Sequence, residues 1–324
     1  MKAVICEGFG PVDELKIGEV PDPTSRRGHV VIDVEAAGLN FPDVLCVQGL
    51  YQFRPEPPFI PGQEGAGVVT AVGEGVKDVQ VGDRVAFVAP SEAFAEKVVV
   101  DAGMVWPIPE DMPFDTAAGF TMVYGTSYHA LRQRAALVAG ETLLVLGAAG
   151  GVGLAAVELG RAIGARVIAA ASTAEKLKVA REAGADATIN YAEEDLKARA
   201  RELTGGMGVD VVYDPVGGPF TEPALRSVAW EGRYLVVGFA AGEIPKIPLN
   251  LVLLKGCQVA GVFWGAFTGR APEQHRANMQ QLKVLYEKGT IRPRIGARYP
   301  LSEVRRGLTD LAERKAVGKI VLTM

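Results

Sequence analysis

Between Leu143 and Ala171 the spacing of the hydrophobic residues changes twice. Leu143 to Leu146 is an unbroken apolar run, which is typical of a strand buried on both faces. A glycine-rich turn follows, then a helical pattern from Val152 to Ala162, then a second apolar run from Arg166 to Ala171. Strand, glycine turn, helix and strand within roughly 30 residues predict a unit that binds the pyrophosphate of a dinucleotide.

The same alternation continues beyond this unit. Further strands are predicted at 187–191, 209–215, 233–239 and 258–263, with helices at 174–184, 193–204 and 220–229. A long apolar helix at 115–136 precedes the whole segment. Six strands with intervening helices predict an α/β fold with a doubly wound parallel sheet.

The first 115 residues have a different pattern, in which short β-type runs are separated by Gly and Pro. Strands are predicted at 30–36, 67–72, 83–88 and 94–100. No βαβ order is present, so this part is expected to form an irregular β-barrel or sandwich.

The chain closes with two predicted helices, 272–288 and 302–312, and a short strand at 319–322. We expect this strand to pair with the N-terminal part, which makes the nucleotide domain an insertion. The predicted domains are therefore 1–115 together with 270–324, and 116–269.

Composition and charge indicate which partners and which cellular location to expect. The 324 residues suggest two domains, and a net charge of −4 gives no reason to expect nucleic acid or an anionic membrane as partner. No apolar run has the length of a membrane span, and the opening MKAVICEG is interpreted as a strand rather than a signal peptide. We therefore expect a cytoplasmic protein.

Cysteine and histidine are too scattered to suggest a metal site. Three residues of each type occur, at positions 6, 46 and 257 and at positions 29, 129 and 275, and none form a metal-ligand spacing. The cysteines are interpreted as small core residues in a reducing compartment.

The glycine turn contains the fingerprint A-x-G-x-x-G at Ala148, Gly150 and Gly153, with Ala where the first Gly is usual. Backbone N–H groups at a helix N-terminus neutralise phosphate only where no side chain blocks the approach. The predicted cofactor-binding turn comprises Ala149, Gly150, Gly151, Val152 and Gly153.

The end of the second strand predicts which nucleotide binds. NAD-binding folds carry an acidic residue there, whereas this chain reads Ala-Ala-Ala followed by Ser172. The missing carboxylate permits a 2′-phosphate, and Ser172, Lys176 and Tyr191 are the predicted groups that contact it. NADPH is therefore the predicted cofactor; the alternative for Lys176 is an ordinary surface lysine paired with Glu175.

Five motifs occur along the chain: AGLNFPD from Ala37, PGQEGAGVV from Pro61, VGDRV from Val81, AGGVG from Ala149 and AGAD from Ala183. With these motifs the chain resembles the zinc-free quinone oxidoreductase (zeta-crystallin-like) family of the medium-chain dehydrogenase/reductase superfamily. The resemblance implies a GroES-like domain, completed by the C-terminus, around a Rossmann domain. It also implies a homodimer paired through the sixth strand, and contact of Lys319 with the adenine phosphate.

Departures from the zinc-bearing relatives point away from a metal. Asn40 stands where those enzymes carry a cysteine ligand, Gln63 stands in their Gly-His-Glu motif, and their four-cysteine lobe has no counterpart. Without a Lewis acid, a conjugated acceptor is favoured, because hydride charge spreads into a delocalised anion that hydrogen-bond donors stabilise.

The predicted function is hydride transfer from NADPH to a quinone or another conjugated carbonyl compound. By resemblance Asn40 and Tyr51 face the substrate as donors; the alternatives are that Asn40 caps a turn before Pro42 and that Tyr51 is a partly buried surface aromatic. Thr126 is a candidate for the cofactor edge, and Gly238, Phe239 and Phe263, at strand ends, are predicted to frame the nicotinamide. Two other functions stay open: an enone or 2-enoyl-thioester reductase acting on substrates such as acryloyl-CoA, and a non-catalytic NADPH-binding protein.

Overall fold

The computed structural model describes all 324 residues, and they form two compact units. The first unit comprises residues 1–122 and 293–324; the second comprises residues 123–292.

The first unit is built on β-strands around one apolar core. Its strands are β1 (Lys2–Ile5), β2 (Lys16–Glu19), β3 (His29–Leu39), β4 (Glu64–Val72), β5 (Arg84–Val88), β6 (Lys97–Asp101), β7 (Val105–Pro107), β14 (Ile295–Pro300) and β15 (Lys319–Thr323). Its helices are α1 (Phe41–Val47), α2 (Phe114–Ala118) and α11 (Val304–Ala312), and α3 (Thr121–Tyr128) starts here and continues into the second unit. The main sheet runs β14-β15-β3-β4-β5-β7, and β6 pairs with β3.

The C-terminal strand returns to the N-terminal part as predicted. β15 lies antiparallel to β3, with Ile320 opposite Leu39 and Thr323 opposite Ala36. Residues 320 to 322 are fully or almost fully buried there, so the last residues of the chain form part of the first unit's core.

The second unit has one parallel sheet in the order β10-β9-β8-β11-β12-β13. The strands are β8 (Thr142–Leu146), β9 (Arg166–Ala171), β10 (Ala187–Asn190), β11 (Val209–Asp214), β12 (Val228–Val236) and β13 (Gln258–Gly261). The helices after α3 are α4 (Gly151–Ile163), α5 (Ala174–Glu182), α6 (Leu196–Leu203), α7 (Thr221–Ser227), α8 (Leu249–Lys255), α9 (Trp264–Arg270) and α10 (Pro272–Glu287). The strand order is that of a dinucleotide-binding Rossmann sheet and confirms the predicted fold class.

The boundaries between the units differ from the predicted ones. They lie at 122/123 and 292/293 instead of 115/116 and 269/270. The boundary at 292/293 is displaced because α10 packs on the second unit: Gln133 and Asn278 exchange side-chain hydrogen bonds, and the Trp264 ring meets the His275 ring edge-on.

The long helix predicted over 115–136 is interrupted. α2 ends before Gly119, where an added Cβ would come within 3.0 Å of Ile295 and 3.2 Å of Lys319. After α3 the chain continues as a π-helical turn, His129–Arg134. Helices α1, α8 and α9 and strands β2, β7 and β14 were not predicted. No helix of the protein combines the length and apolar character that a membrane crossing requires.

Candidate functional site

The glycine turn between β8 and α4 has the geometry of a phosphate-binding turn. Gly147 adopts a left-handed φ of +58°, and an added Cβ there would lie 2.8 Å from the Val216 side chain. At Gly153 a Cβ would stand 2.3 Å from the Gly147 carbonyl oxygen, so only glycine lets α4 approach β8 this closely. Both glycines are required by the protein's own packing.

At Gly150, in contrast, neither the backbone conformation nor the packing of the protein requires glycine. Its φ and ψ of −76° and 166° suit any residue, and the nearest atom to an added Cβ is the Gly147 oxygen, 3.6 Å away. Gly150 immediately precedes α4, whose first N–H groups have no partners within the helix. The turn therefore keeps an open approach to these donors, as a bound dinucleotide pyrophosphate requires.

The predicted 2′-phosphate residues lie after β9, after β10 and at the start of α5. Asn190 pairs with Ala171, and the Tyr191 N–H donates to the Ala171 oxygen, which places Tyr191 beside Ser172. Thr173 caps α5 by accepting a hydrogen bond from the backbone N–H of Lys176, so Lys176 lies in the first turn of α5. The end of β9, Ala171 and Ser172, carries no carboxylate, and at the end of β10 the Glu194 carboxylate accepts from the Asn190 N–H at 2.7 Å.

The remaining predicted cofactor residues of the second unit lie on other segments. Gly238 and Phe239 follow β12, and Phe239 packs against Gly217 in the loop after β11. Thr126 is half-buried on α3, beside Ser127, whose hydroxyl donates to the Val152 carbonyl oxygen at the start of α4. Phe263 follows β13 and is more than half exposed.

Asn40 begins helix α1 and its polar groups are engaged within the first unit. Its backbone groups cap the helix: the Asn40 N–H donates to Asp43 Oδ2 at 2.7 Å, and the Asn40 carbonyl oxygen accepts from the N–H of Asp43 at 2.9 Å. Its side-chain Nδ2 donates to Glu64 Oε1 at 2.8 Å, and Oδ1 accepts from Lys319 Nζ at 2.7 Å. The amide thus joins α1 to two buried charges.

Lys319 lies in the same cluster. Its ammonium donates to Glu64 Oε1 at 2.6 Å, to Asn40 Oδ1 and to the Leu39 carbonyl oxygen at 2.8 Å. Glu64 Oε2 accepts from the N–H of Met122 at 2.8 Å. All three ammonium hydrogens have acceptors inside the first unit, so the predicted contact with an adenine phosphate would require Lys319 to leave a buried ion pair.

Asp43 and Tyr51 are two further ionisable residues in the first unit's part of the candidate site. Asp43 is 1 % exposed, its Oδ1 atom has no hydrogen-bond partner, and burial raises the pKa of its carboxyl group to about 7. Burial also raises the pKa of the half-buried Tyr51 above its ordinary value, with the charges of Cys46 and Asp43 adding to the effect. At neutral pH the Tyr51 phenol therefore keeps its proton and is a hydrogen-bond donor.

Two family models match the chain. The model described as the alcohol dehydrogenase GroES-like domain matches residues 26–110, and the one described as zinc-binding dehydrogenase matches residues 151–283.

Individual relatives match over nearly the full length. A quinone oxidoreductase-like protein 2 homologue of Nematostella vectensis is 39% identical over 99% of this chain and 88% of its own length. A quinone oxidoreductase of Pseudomonas aeruginosa is 38% identical over 99% of both chains. The chain belongs to the zinc-free quinone oxidoreductase family of the medium-chain dehydrogenases/reductases.

A solved structure from the same family agrees in fold. The Escherichia coli quinone oxidoreductase complexed with NADPH is 30% identical, superposes with a TM-score of 0.95 and covers 100% of both chains. Although one family model bears zinc in its description, no group of three or more His, Cys, Asp or Glu side chains in this family member is arranged to hold a metal ion.

Sequence reasoning missed two parts of this family member's candidate site. One is the buried contact of Lys319 with Glu64 and Asn40: Lys319 was predicted to contact a phosphate instead, and the capping spacing of Asn40 and Asp43 signals only the start of α1. The other is Asp214, a buried carboxylate at the end of β11 for which the local sequence offered no periodic pattern.

Proposed function

We propose that this protein is an NADPH-dependent quinone oxidoreductase that transfers hydride to a quinone or another conjugated carbonyl acceptor without a metal. The observation that carries the proposal is the carboxyl edge of the second unit's sheet. There the turn at Gly150 leaves the N-terminus of α4 open, Ser172 and Tyr191 follow the ends of β9 and β10, and Lys176 lies in the first turn of α5, which supports binding of a dinucleotide with a 2′-phosphate. The names of the relatives favour quinones over enoyl thioesters and over a non-catalytic role.

In this proposal the second unit holds the cofactor. The turn from Ala149 to Gly153 receives the pyrophosphate on the N-terminus of α4, and Ser172, Lys176 and Tyr191 receive the 2′-phosphate. When bound, NADPH supplies a hydride from its nicotinamide ring. Thr126, Gly238, Phe239 and Phe263 are the proposed contacts on the nicotinamide side.

The first unit supplies hydrogen bonds to the acceptor. We assign this role to the Tyr51 phenol, because a protonated donor stabilises the oxyanion that forms when a conjugated carbonyl accepts hydride. Asn40 stays in the proposal as the neighbouring amide, which Glu64 and Lys319 hold in one orientation.

The second unit also suggests a homodimer. β13 is an edge strand with a free side, and several large apolar side chains are exposed on β12, α8 and β13: Trp230, Leu249, Leu253, Leu254 and Val259. An apolar surface beside an open sheet edge favours pairing with a second copy. We further propose a cytoplasmic location, since the three cysteines are all free.

The test is turnover of NADPH with 1,4-benzoquinone, phenanthrenequinone, a simple enone and acryloyl-CoA, followed by loss of NADPH absorbance. We expect fastest turnover with a quinone, a preference for NADPH over NADH, and no effect of chelators. Faster turnover of the enone or acryloyl-CoA would overturn the assigned acceptor.

A substitution tests the 2′-phosphate contact. Lys176→Ala should raise KM for NADPH by about ten- to a hundredfold and leave KM for NADH unchanged, because a charge-assisted hydrogen bond to phosphate contributes about 1.5–3 kcal/mol. The matched control is Lys178→Ala, an exposed lysine two residues further along α5. An equal effect of both variants, or an equal effect on both nucleotides, would contradict the assignment of Lys176.

A further inference from the structure

A buried carboxylate lies at the carboxyl end of β11. Asp214 is 3 % exposed and accepts four hydrogen bonds from protein groups. Oδ1 accepts from the backbone N–H groups of Val216 and Gly217 at 2.7 and 2.8 Å. Oδ2 accepts from the hydroxyls of Thr221, at 3.1 Å, and Tyr234. The carboxylate therefore fixes the loop after β11 from both ends.

This loop has a conformation that needs such support. Gly217 and Gly218 both have positive φ, +69° and +59°, so two successive residues lie in the left-handed region. The two backbone donors that Asp214 accepts come from Val216 and Gly217, the first of them directly before this pair and the second within it. Without the carboxylate, these N–H groups would be left to find other acceptors in a largely buried turn.

The loop is joined to the segment that follows β12. The N–H of Ala240 donates to the Pro215 oxygen at 3.1 Å, and the N–H of Ala241 donates to the Val216 oxygen at 2.8 Å. Phe239 lies against Gly217, where an added Cβ would stand 2.9 Å from its ring. The positions of Gly238 and Phe239 therefore depend on the loop that Asp214 holds.

The loop also touches the phosphate-binding turn. The Val216 side chain closes over Gly147, where an added Cβ would come within 2.8 Å of its Cγ2 atom. Val216 is held in place through its own N–H, which donates to Asp214. One carboxylate thus supports two segments on which NADPH binding relies in the proposed function.

We propose that Asp214 is a positioning residue for NADPH: it holds Val216 against the Gly147 turn and the 237–241 segment against the loop after β11. Asp214 acts through these backbone segments and does not itself touch the cofactor. The inference rests on the proposed function for its ligand and goes beyond it in assigning a residue.

The test compares nucleotide affinity among variants in the absence of any acceptor. Asp214→Ala should raise the Kd for NADPH about tenfold or more, because it releases two backbone donors and two hydroxyls at once. Asp214→Asn should retain most of the affinity, with a change of about two- to fivefold, since its amide oxygen still accepts from Val216 and Gly217 while both hydroxyls reorient.

The same strand offers a matched control. Asp210, at the other end of β11, accepts a backbone hydrogen bond from Thr142 at 2.7 Å and lies away from the carboxyl edge. Asp210→Ala should lower the unfolding midpoint and leave the Kd for NADPH unchanged. Equal losses of affinity in Asp210→Ala and Asp214→Ala would overturn the positioning role, because a general loss of stability would then explain both.

A second readout needs no cofactor. In the nucleotide-free protein, amide hydrogen exchange at residues 147–151 and 216–218 should be faster in Asp214→Ala than in Asp210→Ala. If Asp214→Ala does not fold, Asp214→Asn and Tyr234→Phe take its place, and each should show faster exchange in these segments than wild type. Unchanged exchange there would overturn the proposal.

The two proposals fail in different ways. Wild-type protein that binds no NADPH would overturn the proposed function and this inference with it. Wild-type protein that binds NADPH, with an Asp214→Ala variant that binds it equally well, would overturn the role of Asp214 alone.

Discussion

At the scale of single residues, Asp43 is a carboxyl group of the first unit whose pKa lies well above its ordinary value. Its carboxyl group is buried, and only one of its two oxygens has a hydrogen-bond partner. Burial raises its pKa to about 7, above the value of about 3.9 for an unfolded chain. The folded protein therefore holds a proton that the unfolded chain releases between about pH 4 and pH 7, and stability should fall as pH rises through this window.

Asp43→Asn should remove this pH dependence. The amide oxygen still accepts the Asn40 N–H, while no charge has to be buried at high pH. We expect the variant to match wild type near pH 4 and to exceed its stability at pH 8 by up to about 4 kcal/mol. Urea unfolding at pH 4, 6 and 8 measures this, with the exposed Asp78→Asn as control; parallel pH profiles for wild type and Asp43→Asn would contradict it.

The three cysteines should be inert toward the electrophilic acceptors proposed for the enzyme. Cys6, Cys46 and Cys257 are buried, and burial raises the pKa of each thiol, that of Cys46 to about 12. Because quinones are attacked by thiolates, we expect native protein to react much more slowly with a thiol reagent or with benzoquinone than urea-unfolded protein. Labelling of a native cysteine as fast as in the unfolded chain would refute this expectation, and mass spectrometry identifies the site.

Asn40 shows how far a single residue can be interpreted from sequence. The resemblance suggests a substrate donor; in the structure the backbone N–H of Asn40 caps α1, and its side-chain amide contacts Glu64 and Lys319. The capping spacing was visible in the sequence. The two charged partners were not, because they lie 24 and 279 residues away along the chain.

At the scale of elements, the glycine turn contains one glycine that stability requires, Gly153, and one that we expect NADPH binding to require, Gly150. Gly153→Ala should destabilise the protein by about 1–3 kcal/mol, because its Cβ would overlap the Gly147 carbonyl group. Gly150→Ala should change stability by less than about 1 kcal/mol, since its backbone conformation suits alanine and the space is free.

NADPH binding should be affected by Gly150→Ala much more strongly than stability is. We expect Gly150→Ala to weaken NADPH binding at least tenfold, because the added methyl group obstructs the approach to the N-terminus of α4. Thermal unfolding and nucleotide titration on the two variants give the comparison. A Gly150→Ala protein that binds NADPH like wild type would show that the pyrophosphate does not use this turn.

Elements with strong local patterns were predicted well, and those set by distant contacts were not. β9 has the predicted bounds, Arg166–Ala171, because an apolar run between turns defines a buried strand by itself. The break at Gly119 depends on Ile295 and Lys319, and the docking of α10 depends on Gln133 and Trp264. Hydrophobic periodicity contains no information on such partners, so the helix and domain boundaries were displaced.

At the scale of the whole molecule, the last strand decides whether the first unit can fold. β15 lies between β14 and β3 and brings Lys319 to the buried Glu64. Deleting residues 319–324 should unfold the first unit, because it opens the sheet and leaves a buried carboxylate without its cation, which costs about 3–5 kcal/mol. Deleting Met324 alone should have little effect, since that residue lies after β15 and is exposed.

Limited proteolysis followed by peptide mapping measures the outcome. After the six-residue deletion we expect cleavage throughout residues 1–122 and 293–318, with residues 123–292 protected. Protection of both units in the deletion variant would show that β15 is dispensable.

The position of β15 also has a consequence for how the protein is made. Residues 123–292 are contiguous in the chain, so the second unit can fold while the ribosome is still translating the remainder. The N-terminal strands emerge first, and β6 pairs with residues 29–33 of β3, but residues 36–39 of β3 keep an unprotected edge until β15 is made. During synthesis this half of the protein is therefore the one most exposed to aggregation and most dependent on chaperones.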